Sequence, residues 1–175
     1  MPVEPILAGI SVRCPKLRTG VDIGFADVTV AERLRERFHA LWMTVASGEA
    51  AMVAATARLE AGTVQRIGKD GALPFDGNQF EAAVLNGEII TPPLVREIHR
   101  ILKPAGMLFF TVEETVRRGP DSTLSKLYIA FLKCGYDVVS VTRPPWWRFG
   151  RDGKTLTVCA RKKNWREQRP LKVFG

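Results

Sequence analysis

Residues 73–112, LPFDGNQFEAAVLNGEIITPPLVREIHRILKPAGMLFFTV, decide the fold of this chain. They predict a buried strand over 80–86, a helix that begins at Pro92 and Pro93, and a second buried strand over 107–112. The inner face of the helix would contain Leu94, Ile98, Ile101 and Leu102, and its outward face Glu97, Arg100 and Lys103. A strand, a helix and a strand in this order predict two parallel strands joined by a crossover helix.

The same alternation of strands and helices continues on both sides of this segment. It predicts further strands over 20–25, 41–46, 63–67, 136–142 and 155–161, and further helices over 28–40, 48–60 and 122–133. Alternation of this kind favours an α/β fold, in which helices cover a parallel sheet. A length of 175 residues fits a single domain, which we place at 20–163, between an N-terminal extension (1–19) and a basic C-terminal tail (164–175).

The composition, with 46% hydrophobic and 25% charged residues, is that of an ordinary globular domain. No apolar run approaches the roughly 18 residues that a membrane-spanning helix needs. Cys14, Cys134 and Cys159 are far apart and indicate reduced thiols in a cytoplasmic compartment, although the basic N-terminus leaves a mitochondrial location open. His39 and His99 have no ligand partners at suitable spacing, so we expect no metal site.

Two motifs in residues 73–112 carry a family resemblance. L-P-F at 73–75 and R-E-I-H-R-I-L-K-P-A-G at 96–106 resemble the second half of class I S-adenosylmethionine-dependent methyltransferases, of the type 11 kind. The resemblance implies a Rossmann-like fold with a mostly parallel seven-stranded sheet, an antiparallel last strand and helices on both faces. It also implies S-adenosylmethionine as the cofactor, bound at the carboxyl edge of the sheet.

The resemblance assigns residues to the cofactor site. They are Asp22 and Gly24 in V-D-I-G-F-A-D, Asp70 and Leu73 around the L-P-F motif, and Asn86 after the fourth strand. Glu88 follows Asn86 and is the candidate general base. The simpler interpretation of Glu88 is a solvated turn residue.

Four positions depart from the family pattern. Ala26 and Val28 replace two glycines after the first strand, and valine does not readily adopt a positive φ. Ala46 stands where an acidic residue would bind the ribose, and Lys69 stands where another would lie near the adenine, with Asp70 displaced by one position. We therefore predict a degenerate site that binds no cofactor, with S-adenosylmethionine binding as the alternative.

The net charge of +8 is concentrated at the C-terminal end. Residues 143–175 hold 10 basic and 2 acidic side chains, whereas residues 1–142 hold 16 of each. The predicted partner-binding residues are Trp146, Trp147, Arg148, Arg151, Lys162, Lys163, Trp165 and Arg166. Interleaved aromatic and basic side chains suit stacking on RNA bases or docking on a protein. The alternatives are tryptophans that cover the core and a solvated tail.

Three functions follow from these patterns. The first is a methyltransferase-like protein with a degenerate cofactor site that serves as a binding or assembly module for protein or RNA partners. The second is an active small methyltransferase with an atypical cofactor loop. The third rests on a narrower resemblance, through R-E-I-H-R-I-L-K-P-A-G-M-L-F-F and the later S-K-L, to the N-terminal domain of anamorsin, which acts in cytosolic iron–sulfur cluster assembly. The cysteine clusters of that family have no counterpart in this sequence.

Overall fold

A computed structural model of the protein describes residues 6, 10, 18–24, 28–45, 64–68, 72–85, 90–113, 123–142 and 155–164. The strands are β1 (Thr19–Ile23), β2 (Ala40–Val45), β3 (Val64–Arg66), β4 (Phe80–Leu85), β5 (Leu102–Glu113), β6 (Tyr136–Thr142) and β7 (Thr155–Lys162). The helices are α1 (Val28–Arg35), α2 (Pro92–Ile101) and α3 (Thr123–Lys133). The helix predicted over 48–60 lies outside the described residues.

The strands form one seven-stranded sheet in the order β3-β2-β1-β4-β5-β7-β6. Neighbouring strands from β3 to β5 are parallel, and β7 is antiparallel to both β5 and β6, between which it lies. The predicted fold class is confirmed: a Rossmann-like α/β fold with a mostly parallel sheet and an antiparallel last strand.

Hydrophobic clusters cover both faces of the sheet, because helices lie on each side. On the first face, α2 and α3 contribute Ile98 and Phe131 to one cluster. On the second face, α1 contributes Leu34, and Ile6 and Ile10 are buried beside it. Two residues of the predicted N-terminal extension therefore pack in the core, while the domain boundaries themselves stay predictions.

Two helices differ in detail from the prediction. Helix α1 ends at Arg35 and not at Ala40, because Ala40 already belongs to β2. In α3, Phe131 is buried and stacks on Phe110 with ring centroids 5.1 Å apart. Helical spacing alone predicts Tyr128, three residues before Phe131, on the same inner face, but Tyr128 is 49% exposed.

The charged face of α2 holds the L-P-F turn. Arg100 donates hydrogen bonds from Nη2 to the Leu73 carbonyl (3.0 Å) and from Nη1 to the Phe75 carbonyl (2.7 Å). Glu97 accepts from the Leu73 backbone N–H at 3.2 Å and pairs with Arg100 at 2.8 Å. Arg100 is exposed and Glu97 is partly exposed, as the outward face predicts, and both also satisfy backbone groups of the turn.

Lys162, at the end of β7, is 8% exposed. Its ammonium donates hydrogen bonds to Asn78 Oδ1 (2.9 Å), the His99 carbonyl (2.7 Å) and the Leu102 carbonyl (2.6 Å). Loss of hydration lowers the pKa of this lysine. Lys162 thus joins the last strand to the end of α2 and the start of β5, and its charge is engaged within the domain.

A strained residue lies in the K-P-A-G segment at the start of β5, where the pairing with β4 is irregular. Ala105 has a φ of 63°, a left-handed conformation that favours glycine. The next residue, Gly106, is tightly enclosed, since an added Cβ would lie 2.8 Å from the Lys103 carbonyl oxygen. Regular pairing of β5 with β4 resumes at Met107, where the prediction placed the start of the strand.

Replacing Lys162 with methionine should lower the free energy of unfolding by about 2–3 kcal/mol, because three acceptors, the buried Leu102 carbonyl among them, lose their donor. Chemical denaturation measures this loss. The matched control is Lys163→Met: Lys163 pairs with the partly exposed Asp137 at 3.2 Å, so its loss should cost under about 1 kcal/mol. Equal effects of the two substitutions would contradict the structural role of Lys162.

Replacing Ala105 with glycine should raise the free energy of unfolding by about 1 kcal/mol, because it relieves the left-handed strain at an exposed position. Thermal or chemical denaturation gives the sign. Ala130→Gly removes the same methyl group from an exposed position inside α3 and should lower the free energy of unfolding by about 1 kcal/mol. A loss of stability at both positions would show that Ala105 is not strained.

Candidate functional site

The carboxyl ends of β1, β2 and β4 meet at one edge of the sheet, and Asp22 lies near the end of β1. Val21 and Ile23 belong to the cluster on the first face, so the alternation of the strand directs Asp22 to the second face. Its neighbours in register are Met43 and Val84, which are both buried and apolar. The Asp22 carboxyl group therefore lies in hydrophobic surroundings.

Asp22 is fully buried, and neither of its carboxylate oxygens has a hydrogen-bond partner among the described residues. Burial raises the pKa of the Asp22 carboxyl from 3.8 to about 7. Leaving a buried polar group unpaired destabilises a fold, and such groups in native proteins call for an explanation. A buried carboxyl with a shifted pKa at a ligand-binding edge is a candidate functional residue.

The turn after β1 has the backbone that its sequence motif requires. Gly24 has a φ of 77°, a conformation for which glycine is suited. Its backbone N–H donates to Thr44 Oγ1 at 3.3 Å, and Thr44 is itself fully buried near the end of β2. Sequence reasoning missed Thr44, although a hydroxyl in an otherwise apolar strand is a signal that could have identified it.

Val28 does not have the positive φ that would make valine incompatible with the site. It is the first residue of α1, and the described non-glycine residues with positive φ are Asn78 and Ala105. The objection that valine resists a positive φ therefore does not apply at this position. Ala26 lies outside the described residues.

Leu73, the third predicted cofactor residue that the structure describes, is buried in the cluster on the first face. Phe75, two residues later, packs edge to face on Phe80, with ring centroids 4.9 Å apart. Together with the bonds from Glu97 and Arg100, these contacts hold the turn before β4 in one conformation.

Most of the other predicted site residues lie outside the described residues. They are Asp70, Asn86, Glu88, Trp146, Trp147, Arg148, Arg151, Trp165 and Arg166, together with the departing positions Ala46 and Lys69. Of the predicted partner-binding set, the structure describes Lys162, which is buried, and Lys163, which pairs with Asp137.

The described ranges contain neither a membrane-spanning helix nor a metal-binding cluster. No helix there is long and apolar enough to cross a membrane. In the same residues, no cluster of three or more histidine, cysteine or acidic side chains is arranged to hold a metal ion.

No family model and no curated protein matches the sequence. Solved structures match closely in fold. The Burkholderia thailandensis 1,6-didemethyltoxoflavin-N1-methyltransferase, solved with its substrate and S-adenosylhomocysteine, is 15% identical with a TM-score of 0.71, covering 93% of this chain and 78% of its own.

Two other matches have comparable extent. A chain from the Haloferax volcanii complex of the Trm112 methyltransferase activator with a candidate methyltransferase is 18% identical with a TM-score of 0.64, covering 92% of this chain and 95% of its own. The [4+2]-cyclase SpnF is 15% identical with a TM-score of 0.66, covering 91% of this chain and 80% of its own. At these identities the likeness establishes architecture: the protein has the class I S-adenosylmethionine-dependent methyltransferase fold.

Proposed function

We propose that the protein binds S-adenosylmethionine at the carboxyl edge of its sheet and acts as a small methyltransferase. The observation that carries this proposal is the buried carboxyl group of Asp22, for which no described residue is a hydrogen-bond partner. A cationic ligand beside it would supply the missing partner, and S-adenosylmethionine carries an ammonium and a sulfonium group. The bound S-adenosylhomocysteine in the Burkholderia thailandensis enzyme supports this class of ligand.

The residues around Asp22 fit such a ligand. The left-handed Gly24 turns the chain away from β1, and α1 begins at Val28, so this turn brings a helix N-terminus to the same edge. Thr44 Oγ1 accepts a hydrogen bond from the Gly24 amide and so holds this turn against the end of β2. We assign Asp22 and Gly24 to the methionine part of the cofactor, and Leu73 and Asp70 to its adenine side.

When bound, S-adenosylmethionine supplies an electrophilic methyl group. We propose Glu88 as the general base that takes the proton of the methyl acceptor, and Asn86 as a residue that positions the cofactor. Both follow β4, whose carboxyl end is next to that of β1. Fully buried scaffold residues, Ile23 and Leu85 among them, would exclude water beneath the reacting groups.

The second candidate function is a binding or assembly module with a degenerate cofactor site. It is favoured by the departures at Ala26, Ala46 and Lys69, and by the 10 basic and 2 acidic residues of 143–175. In this function Trp146, Arg148 and neighbouring residues would bind RNA or an acidic protein, with an affinity that falls steeply with salt when the partner is RNA. The complex with an activator in Haloferax volcanii is a precedent for a protein partner on this fold.

The anamorsin-like function in iron–sulfur cluster assembly is a third proposal. It is supported by the R-E-I-H-R-I-L-K-P-A-G-M-L-F-F segment and the later S-K-L. Copurification of iron–sulfur assembly proteins with the full chain from cells would distinguish it from the other two.

Isothermal titration with S-adenosylmethionine should show micromolar binding to the natural chain at pH 8. The conservative Asp22→Asn variant should bind at least about tenfold more weakly, because the charge that pairs with the ligand is lost. The matched control is Asp76→Asn, at an exposed aspartate in the turn before β4, which should leave the affinity unchanged. Absence of binding to the natural chain at millimolar ligand would favour the module, and equal binding by Asp22→Asn would exclude Asp22 as the ligand partner.

Asp22 should also make stability depend on pH. Because its pKa is higher in the folded protein (about 7) than in the unfolded chain (3.8), the folded state loses stability as the pH rises between these values. The free energy of unfolding of Asp22→Asn should therefore match that of the natural chain at pH 4 and exceed it by up to about 4 kcal/mol at pH 8. Denaturation curves at both pH values test this, and an equal difference at both would contradict a neutral, buried Asp22 at low pH.

A further inference from the structure

We propose that the outer edge of the domain, formed by α3 and β6, is a docking surface for an acidic segment of another protein, which adds to the sheet as a strand beside β6. This surface, called the α3–β6 face below, uses neither Asp22 nor any other residue of the cofactor site. The proposal is therefore independent of the proposed function.

Exposed apolar side chains define the α3–β6 face. The exposed large hydrophobic residues of the described chain all lie on these two elements, with exposures from 37% to 52%. They are Tyr128, Ile129, Leu132, Val139 and Val141. Scattered apolar residues are normal on a surface, but a concentration on two adjacent elements indicates an interaction site.

The two elements form one continuous surface. They are joined by a tight turn at Cys134 and Gly135 and pack against each other. Val141 is paired in register with Val158, which belongs to the same cluster as Phe131 of α3. Val141 therefore lies on the side of the sheet that α3 covers, where the exposed flank of the helix adds Tyr128 and Leu132.

The open edge of β6 determines the form of the partner. The sheet has two edge strands, and proteins usually protect such edges by short length or by charge. Edge strand β3 follows this rule, since it has three residues and ends at Arg66. Edge strand β6 has seven residues with one irregularity, between Val138 and Ser140, and exposes Val139 and Val141. Among the described residues no strand pairs with its outer edge, which can therefore accept an added strand.

The charge of the region determines the chemistry of the partner. Residues 123–142 and 155–164, which form α3, β6 and β7, hold one acidic residue, Asp137, and four basic residues besides the buried Lys162, a net charge of +3 without that lysine. A segment with acidic residues around an apolar centre complements this charge. A second copy of the chain, itself at +8, would be repelled.

A protein partner fits the face better than a nucleic acid. Four of the five exposed side chains are aliphatic and offer no aromatic surface for base stacking, so Tyr128 would be the single stacking platform. Aliphatic side chains beside an open strand instead match the way in which extended peptides add to a sheet.

The test uses the full chain and a fluorescein-labelled peptide of alternating glutamate and valine, EVEVEVEVE, with KVKVKVKVK as the charge-reversed control. Fluorescence anisotropy should show binding of the acidic peptide and not of the basic one. The exposed double substitution Leu132→Gln with Val141→Thr should weaken binding about tenfold, because the apolar contacts are lost while the strand propensity is kept. Hydrogen exchange of the β6 amides should slow when the acidic peptide binds.

A matched pair of single variants separates local charge from net charge. Lys133→Gln, at the end of α3, should weaken binding of the acidic peptide up to about fivefold, whereas Arg37→Gln, after α1, should not change it. Both lysine and arginine are exposed, and each substitution removes one positive charge.

Four results would overturn the proposal. They are failure of the acidic peptide to bind, equal binding of the basic peptide, a dimer in sedimentation velocity that the double variant dissociates, and binding of a uridine dodecamer that the double variant abolishes. The third would assign the face to a second copy, and the fourth to RNA. Circular dichroism of each variant confirms that it is folded.

Discussion

Burial of the central strands on both faces is the constraint on which the rest of this structure depends. With helices on each side, a polar side chain in the middle of the sheet has no access to water and must find a partner in the protein or a ligand. Among the acidic and basic side chains of the described sheet, Asp22 and Lys162 are buried. Lys162 is satisfied by three acceptors, whereas Asp22 has no hydrogen-bond partner in the part of the chain that the structure describes. The same constraint thus separates a structural residue from a functional candidate.

Much of the fold was predictable because local pattern and global architecture agree. A helix that begins at prolines joins the apolar runs at 80–86 and 107–112. This local pattern predicts a parallel pair of strands independently of the rest of the chain. Tyr136–Thr142 was predicted with the bounds that the structure shows. The features that local pattern did not predict depend on long-range contacts. Helical spacing cannot tell which flank of α3 meets the sheet, and charge alone cannot show that Arg100 reaches back to carbonyl groups 25 and 27 residues earlier.

The candidate site was predictable in part, for a related reason. Asp22 and Gly24 were located at the end of β1 from the motif, and their backbone and burial agree with it. Val28 was expected to need a positive φ, but the first residue of a helix does not need one. The fold itself leaves chemistry open, since a methyltransferase and a [4+2]-cyclase both have it. For that reason the unpaired Asp22 carries more weight for function than the architecture does.

The position of β7 has a consequence for how the chain acquires its structure. The last strand lies between β5 and β6, and its final residue, Lys162, bonds to carbonyl groups at His99 and Leu102. Until this strand has been synthesised, β5 and β6 have no common neighbour, and the junction of α2 with β5 lacks its donor. Contacts that span about 60 residues slow folding, because the loop must close before they form. During translation, a growing chain would therefore hold two open strands and an incomplete core until its final strand inserts, which makes this the interval of greatest exposure to misfolding and to chaperones.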